Sequence, residues 1–234
     1  MNIKIKNQHS LSLIIPAYNE EESIEAAVLV NIEVLQRAEI EFEIIIIDDG
    51  SKDKTKGIIE EKFAGKPNLI FFSKPNGGFG SAVRKGIELS SRDYVMFVPV
   101  DSPLNENTLS SFLMHANKAD IIVSYRMERK GYSNRMKVNS SIYHKLISFL
   151  FGLSLKDYNW IHLYNRKIFD KITIENGRIF MLAEVLIKAK RLGYTFYEFP
   201  IEMEERTSGD RTAASYKAAL QTFFDTIRFF FKRK

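Results

Sequence analysis

The chain reads as an α/β protein of three α/β/α layers, with a mostly parallel central sheet and C-terminal helices. Three observations predict this. Apolar, β-branched runs alternate with segments of helical period through the first half of the chain. The run Ile44-Ile45-Ile46-Ile47 is apolar on both faces and too short for a membrane span, which suits a doubly covered strand. That run ends in Asp48-Asp49-Gly50-Ser51, carboxylates and a turn at the strand edge where open α/β sheets bind ligands.

Each element follows from its residues. Residues 11–16 form the first strand, 17–20 a turn, and Glu20 to Glu22 supply acids suited to a helix N-terminus. The helix behind them repeats Ile24, Val28, Ile32 and Leu35 on one face. A second strand spans 42–47, a helix 55–63 and a third strand 69–72. Asn76-Gly77-Gly78-Phe79-Gly80-Ser81 is a glycine turn opening a helix to Leu89. Its backbone N–H groups are placed to seat a phosphate, with Gly78 and Arg84 as candidate contacts, although the spacing is neither a dinucleotide fingerprint nor a P-loop. A fourth strand, 94–98, leads to Asp101, so two strands taken as neighbours end in acids at one edge. Such a corner suits Mg²⁺ or Mn²⁺ and sugar hydroxyls. A fifth strand spans 121–124, helices 138–155 and 179–192 follow, and a late strand covers 194–200. Glu184 sits between Leu182 and Leu186 and is expected to face the site or solvent. Residues 202–212 form a charged loop. Residues 213–231 form an amphipathic helix with Leu220, Phe223, Phe224, Ile227 and Phe231 opposite Lys217, Asp225, Arg228 and Lys232.

At 234 residues and 45% apolar content the chain can bury one full core. Without cysteine it has neither disulfides nor thiolate metal ligands. The polar N-terminus and the absence of a long apolar run predict no signal peptide and no transmembrane helix, hence a cytoplasmic protein. His9, His115, His144 and His162 are scattered without metal-ligand spacing. The net charge of +5 is concentrated in Arg126, Arg129, Lys130, Arg135 and Lys137 and at the C-terminus, which suits phosphates or an anionic membrane surface. Nucleic-acid binding is not expected, because the basic residues lack interleaved aromatics.

Leu13-Ile14-Ile15-Pro16-Ala17-Tyr18-Asn19-Glu20, Ile47-Asp48-Asp49-Gly50-Ser51 with Asp53 and Thr55, and the glycine turn resemble family 2 glycosyltransferases of GT-A (Rossmann-like) fold. The likeness is to the dolichyl-phosphate mannosyltransferase and polyprenyl-phosphate glycosyltransferase branch. Gly152-Leu153-Ser154-Leu155-Lys156-Asp157 and Arg206-Thr207-Ser208-Gly209 stand at that branch's later motifs. The resemblance implies that Pro16, Ala17, Tyr18 and Glu20 line a nucleotide pocket beside Asp48, with Asp49 reading the base. It implies that Asp101 binds metal and diphosphate, and that Arg126, Arg135 and Arg206 hold phosphates. Pro99-Val100-Asp101 stands where that family carries Asp-x-Asp, so one metal carboxylate is missing. The Arg-x-x-Gly-x-Ser-Lys ending also departs, with Asp210-Arg211-Thr212 following Gly209.

The implied domain is residues 1–212, with 213–234 a helix packed on it or membrane-associated. The implied reaction is inverting transfer of a hexose from a GDP- or UDP-sugar to a polyprenyl phosphate at the cytoplasmic face of the membrane. Two alternatives stand beside it. One is transfer to a saccharide hydroxyl, with Asp157 as base; the other is a nucleotide-sugar binding protein without catalysis. Asp49 and Asp101 lie at strand ends, so replacing either is expected to cost ligand binding and little stability.

Overall fold

The structure is a computed structural model describing residues 9–127, 134–201 and 216–232. Among the described residues seven strands form one sheet, in the order β3-β2-β1-β4-β6-β5-β7. Strands β1 (Ser10–Ala17), β2 (Glu41–Asp48), β3 (Leu69–Ser73) and β4 (Tyr94–Phe97) pair in parallel. β5 (Ile121–Arg126) and β7 (Phe196–Ile201) also pair in parallel, while β6 (His162–Asn165) runs antiparallel between β4 and β5.

The isoleucine run is buried on both faces, as its composition demands. Ile44 and Ile46 join the core under α1 (Ile24–Arg37), α2 (Thr55–Phe63) and α4 (Glu106–His115). Ile45 and Ile47 join the opposite core under α3 (Phe79–Leu89), α5 (Asn134–Phe151) and α6 (Met181–Arg191). Each such side chain contributes about 1.5–3 kcal/mol of burial, so this strand anchors both layers.

Several elements depart from the sequence reading. Asp48 and Asp101 do not end neighbouring strands, because β1 lies between β2 and β4. The helix α4 was not anticipated, yet its signal is present: the Asn105 side chain caps it by accepting from the Thr108 N–H, and Leu109, Phe112 and Leu113 bury one face. The helix expected over 138–155 spans Asn134–Phe151 and stops where Gly152 takes φ 63°, with its N–H on the Ser148 carbonyl. The strand β6 was also not anticipated. The last helix, α7 (Tyr216–Phe231), packs on α5 and on Phe180, with Phe229 and Phe230 against Phe151 and Phe229 also against Phe180. Thr222 and Thr226 are buried, whereas Phe224 is 65% and Phe231 63% exposed.

The loop at 174–178 approaches the glycine turn backbone to backbone. The Gly80 N–H donates to the Gly177 carbonyl at 2.9 Å. A Cβ on Gly80 would lie 2.2 Å from the Asn176 oxygen, whereas one on Gly57 in α2 meets nothing within 4 Å. Gly80→Ala is therefore expected to cost about 2–3 kcal/mol, read from the urea midpoint. Gly57→Ala, on an open helix face, is expected to gain about 0.5–1 kcal/mol.

Candidate functional site

Parallel strands bring the loops after β1 and β2 to one sheet edge, where their polar groups interlock. The Asn19 N–H donates to Ser51 Oγ and the Lys52 N–H to Asn19 Oδ1. The Glu20 N–H donates to Thr55 Oγ1 at 2.7 Å, and Thr55 is held in turn by Asp53. Pro16 is half-buried and Ala17 buried at the end of β1, while the Tyr18 ring is 43% exposed beside them. This leaves an aromatic face open next to the acids of β2.

Those acids have different tasks. Asp48 is buried, accepting from the Ser51 N–H at 3.0 Å and from Ser73 Oγ at 2.7 Å, so it ties β2 to β3. Asp49 turns into the glycine loop. Its oxygens accept from the Lys74 ammonium, from the Gly77 N–H at 3.0 and 3.2 Å and from the Gly78 N–H at 2.7 Å. The N–H groups of Gly77 and Gly78, offered by the sequence as a phosphate seat, are thus held by Asp49. Gly78 has φ 85°, and a Cβ there would lie 2.4 Å from the Gly177 oxygen, so close packing is what its lack of a side chain serves.

Asp101 follows β4 and is half-buried. Burial lifts the Glu20 carboxyl above its usual range against a hydrogen bond from Ser23, and the charges of Asp101 and Asp53 lift it further. Among the described residues no three acid or imidazole side chains form a metal cluster. Two acids placed so that the charge of Asp101 lifts the Glu20 carboxyl are nonetheless a donor set that a divalent ion fits. Mg²⁺ commonly binds one or two carboxylates and completes its shell with substrate phosphate and water.

On the other side of β4, the structure brings Arg126 and Asp157 together. Nε and Nη2 of Arg126 lie 2.8 and 2.7 Å from Asp157 Oδ2, and its guanidinium sits 4.5 Å over the Trp160 ring. Asp157 Oδ1 accepts from the Asn159 N–H at 3.2 Å. His162 is buried nearby, and that burial pushes its imidazole down to about 4 against the pull of Asp157. The unfolded chain takes a proton below about 6.5 that the fold refuses, so stability falls as pH drops from there towards 4. His162→Gln is expected to flatten that slope, measured as urea midpoints at pH 7 and pH 5.

The remaining candidates lie elsewhere. Arg84 is exposed on α3 and donates to the Ile174 carbonyl at 3.1 Å, bracing the 174–178 loop. Glu184 does not face solvent: it is buried, accepting from the Glu175 and Asn176 N–H groups and pairing with Lys188, and it lines the same cleft as the glycine turn. Arg206 lies outside the described residues, as does the Arg135 side chain. Lys74, Trp160 and Asn159 were missed by sequence reasoning. A single lysine before a Pro-Asn-Gly turn carries no signal, whereas the aromatic pair Tyr158 and Trp160 beside Asp157 did.

Under α7 lies a cleft of about 540 Å³, bounded by Asn76 to Gly78, the 175–178 loop and Phe229. Arg178 pairs across it with Asp225 at 3.1 Å and Lys232 with Glu175 at 2.6 Å, latching α7 to the body by its polar side.

The profile of the family described as Glycosyl transferase family 2 matches residues 12–180. The chain is 27% identical over 212 residues to a dolichyl-phosphate beta-glucosyltransferase of Trichomonas vaginalis, covering 83% of this chain and 66% of that one. It is 27% identical over 222 residues to an undecaprenyl-phosphate 4-deoxy-4-formamido-L-arabinose transferase of Proteus mirabilis, covering 94% of this chain and 67% of that one. A third relative, glycosyltransferase AglD of Haloferax volcanii, is 25% identical over 208 residues and extends further still, since the match spans 33% of it. This chain therefore spans about two thirds or less of these relatives. Among solved structures, glucosyl-3-phosphoglycerate synthase of Mycobacterium tuberculosis, crystallised with Mn²⁺, uridine diphosphate and phosphoglyceric acid, shares the fold at a TM-score of 0.70. That match has 16% identity and covers 94% of this chain and 78% of that one.

Proposed function

This chain belongs to glycosyl transferase family 2, and from that premise we propose that it moves a hexose from a nucleoside-diphosphate sugar to a polyprenyl phosphate. The observation that carries the reading is a juxtaposition. A carboxyl-edge site of Tyr18, Glu20, Asp49 and Asp101 shares one body with a helix that turns Phe223, Phe224 and Phe231 outward. The first suits a charged nucleotide, the second an acceptor whose tail stays in a bilayer.

The nucleotide lies along the ends of β1 and β2, its base against Tyr18 and Asp49 and its diphosphate towards Asp101. Asp101, beside Glu20, holds the divalent ion, Mg²⁺ or Mn²⁺. When bound, that ion offsets charge building on the departing diphosphate. An oxygen of the acceptor phosphate bonds to the sugar's anomeric carbon from the face opposite the breaking bond, and the nucleoside diphosphate leaves. Such a phosphate is already anionic, its second pKa being about 6, so no base is required. Arg126, held in orientation by Asp157 and Trp160, positions it. The same ion pair argues against a hydroxyl acceptor. Asp157, the candidate base for that chemistry, has one oxygen on Arg126 and the other on a backbone N–H.

Among the described residues no helix is long and apolar enough to cross a membrane. Attachment in this reading is peripheral, at the cytoplasmic leaflet, through the outer face of α7 with basic residues around it. Arg126→Lys tests the acceptor half. Losing the forked contact is expected to raise the KM for a polyprenyl phosphate about tenfold while leaving the donor KM within about twofold. A change confined to the donor KM would remove Arg126 from the acceptor side.

A further inference from the structure

We propose that the cleft under α7 is a lipid-headgroup site selective for phosphatidylethanolamine, taking the phosphate on Arg228 and the primary ammonium on Glu175. This rests on the reading of α7 as the helix that attaches to a bilayer, and it names the lipid that the attachment selects.

The register of α7 brings a headgroup to this cleft. Residues one turn apart at i, i+4 rotate by about 40° per step, so the row Phe224, Arg228, Lys232 winds from the outer apolar face into the cleft. Phe224 and Phe231 stand outward, and Arg228 is exposed beside them at the cleft mouth. A lipid whose chains lie along the two phenylalanines therefore carries its phosphate to Arg228. The other cations of the cleft are engaged, Arg178 by Asp225 and Lys232 by Glu175. Arg228 pairs with no acid among the described residues, so its N–H donors are open to a phosphate.

The second half of the ligand follows from the acids. Glu175, bonded to Lys232 one turn from Arg228, is 47% exposed. Lys188 donates to its Oε1 and Lys232 to its Oε2, and together they hold its carboxyl down to about 2, so it is charged at neutral pH. A carboxylate offers about four acceptor positions, so about two remain for a ligand. Around the cleft, Arg178, Arg228 and Lys232 are matched by Glu175, Glu184 and Asp225. A ligand with a net charge leaves one sign uncompensated there, whereas a phosphate joined to an ammonium does not. Choline has no N–H to give Glu175. Nor is the Phe229 ring open to cage a quaternary ammonium, because Lys188 and Arg191 already face it. A glycerol headgroup brings the phosphate without the cation.

The test is flotation of the full chain with phosphatidylcholine vesicles at a fixed share of phosphatidylglycerol, replacing the phosphatidylcholine stepwise by phosphatidylethanolamine. Parent affinity is expected to rise by about fivefold or more. Glu175→Gln is expected to lose that rise, and the sign is diagnostic: removing a negative charge would by general electrostatics strengthen attachment to an anionic surface. Arg228→Gln is expected to lose it as well. A rise that survives in either variant reflects looser lipid packing and overturns the proposal, as does equal parent affinity for the two lipids; both leave attachment through α7 intact. If Glu175→Gln does not fold, the parent series and Arg228→Gln decide. No flotation of the parent with any of these vesicles rejects the attachment reading itself.

Discussion

Asp49→Ala is expected both to abolish donor binding and to destabilise the fold, by about 2–3 kcal/mol, because one carboxylate serves two purposes. The substitution strands the Lys74 ammonium and two backbone N–H groups that no other side chain reaches among the described residues. Removing one partner of a buried ion pair costs about 3–5 kcal/mol, and the partial exposure of Lys74 lets water recover some of that. For a chain of this size the loss corresponds to a melting point lower by about 5–10 °C. Asp101→Ala, a half-buried loop acid, is expected to weaken donor binding while melting within about 2 °C of the parent. Melting curves and donor titrations of the two variants side by side check this. Equal melting points for Asp49→Ala and the parent would reduce Asp49 to a ligand contact. The sequence alone suggested that both acids were dispensable for stability, since both stand at strand ends. The glycine turn makes the difference.

The second large effect concerns α7. The double substitution Phe224→Glu and Phe231→Glu is expected to lower affinity for phosphatidylglycerol-containing vesicles by a hundredfold or more. Each inserted phenylalanine contributes about 1.5–3 kcal/mol, and each new carboxylate is repelled by anionic headgroups. Because both side chains stand outward and the helix is held by Thr222, Thr226 and the Asp225–Arg178 and Lys232–Glu175 pairs, the melting point is expected to stay unchanged. Parent binding is expected to weaken with salt to the extent that basic residues contribute. Flotation of the variant equal to that of the parent would discard this face as the attachment surface.

The parallel half of the sheet was legible because physical chemistry leaves few other homes for four consecutive isoleucines followed by two acids. β1 to β3, α2 and α3 fall where their hydrophobic patterns place them, within a residue or two. The second half was harder for identifiable reasons. β6 has four residues and follows a loop of mixed polar and apolar residues, so its insertion between β4 and β5 leaves no trace in strand order. Amphipathicity grouped Leu220, Phe223, Phe224, Ile227 and Phe231 on one face of α7 but did not tell which face is buried; here Thr222, Thr226, Phe229 and Phe230 turn inward, while Phe224 and Phe231 stand outward. Asp48 and Asp49 were recognised as a pair, yet only the fold separates the strand-tying acid from the loop-holding one. Lys74 could not be found from sequence because its role depends on where a turn returns it.

The central claim is transfer of a hexose to a lipid phosphate. The most direct measurement incubates the purified chain with GDP- and UDP-hexoses, Mg²⁺ or Mn²⁺, and vesicles carrying undecaprenyl phosphate, and follows glycolipid by mass spectrometry. A parallel reaction supplies a saccharide acceptor in place of the lipid. The account predicts one equivalent of nucleoside diphosphate released per hexosyl-phosphoryl lipid formed, with no release when the lipid phosphate is omitted. Donor binding with no product from either acceptor, or product from the saccharide with the lipid phosphate untouched, would contradict it.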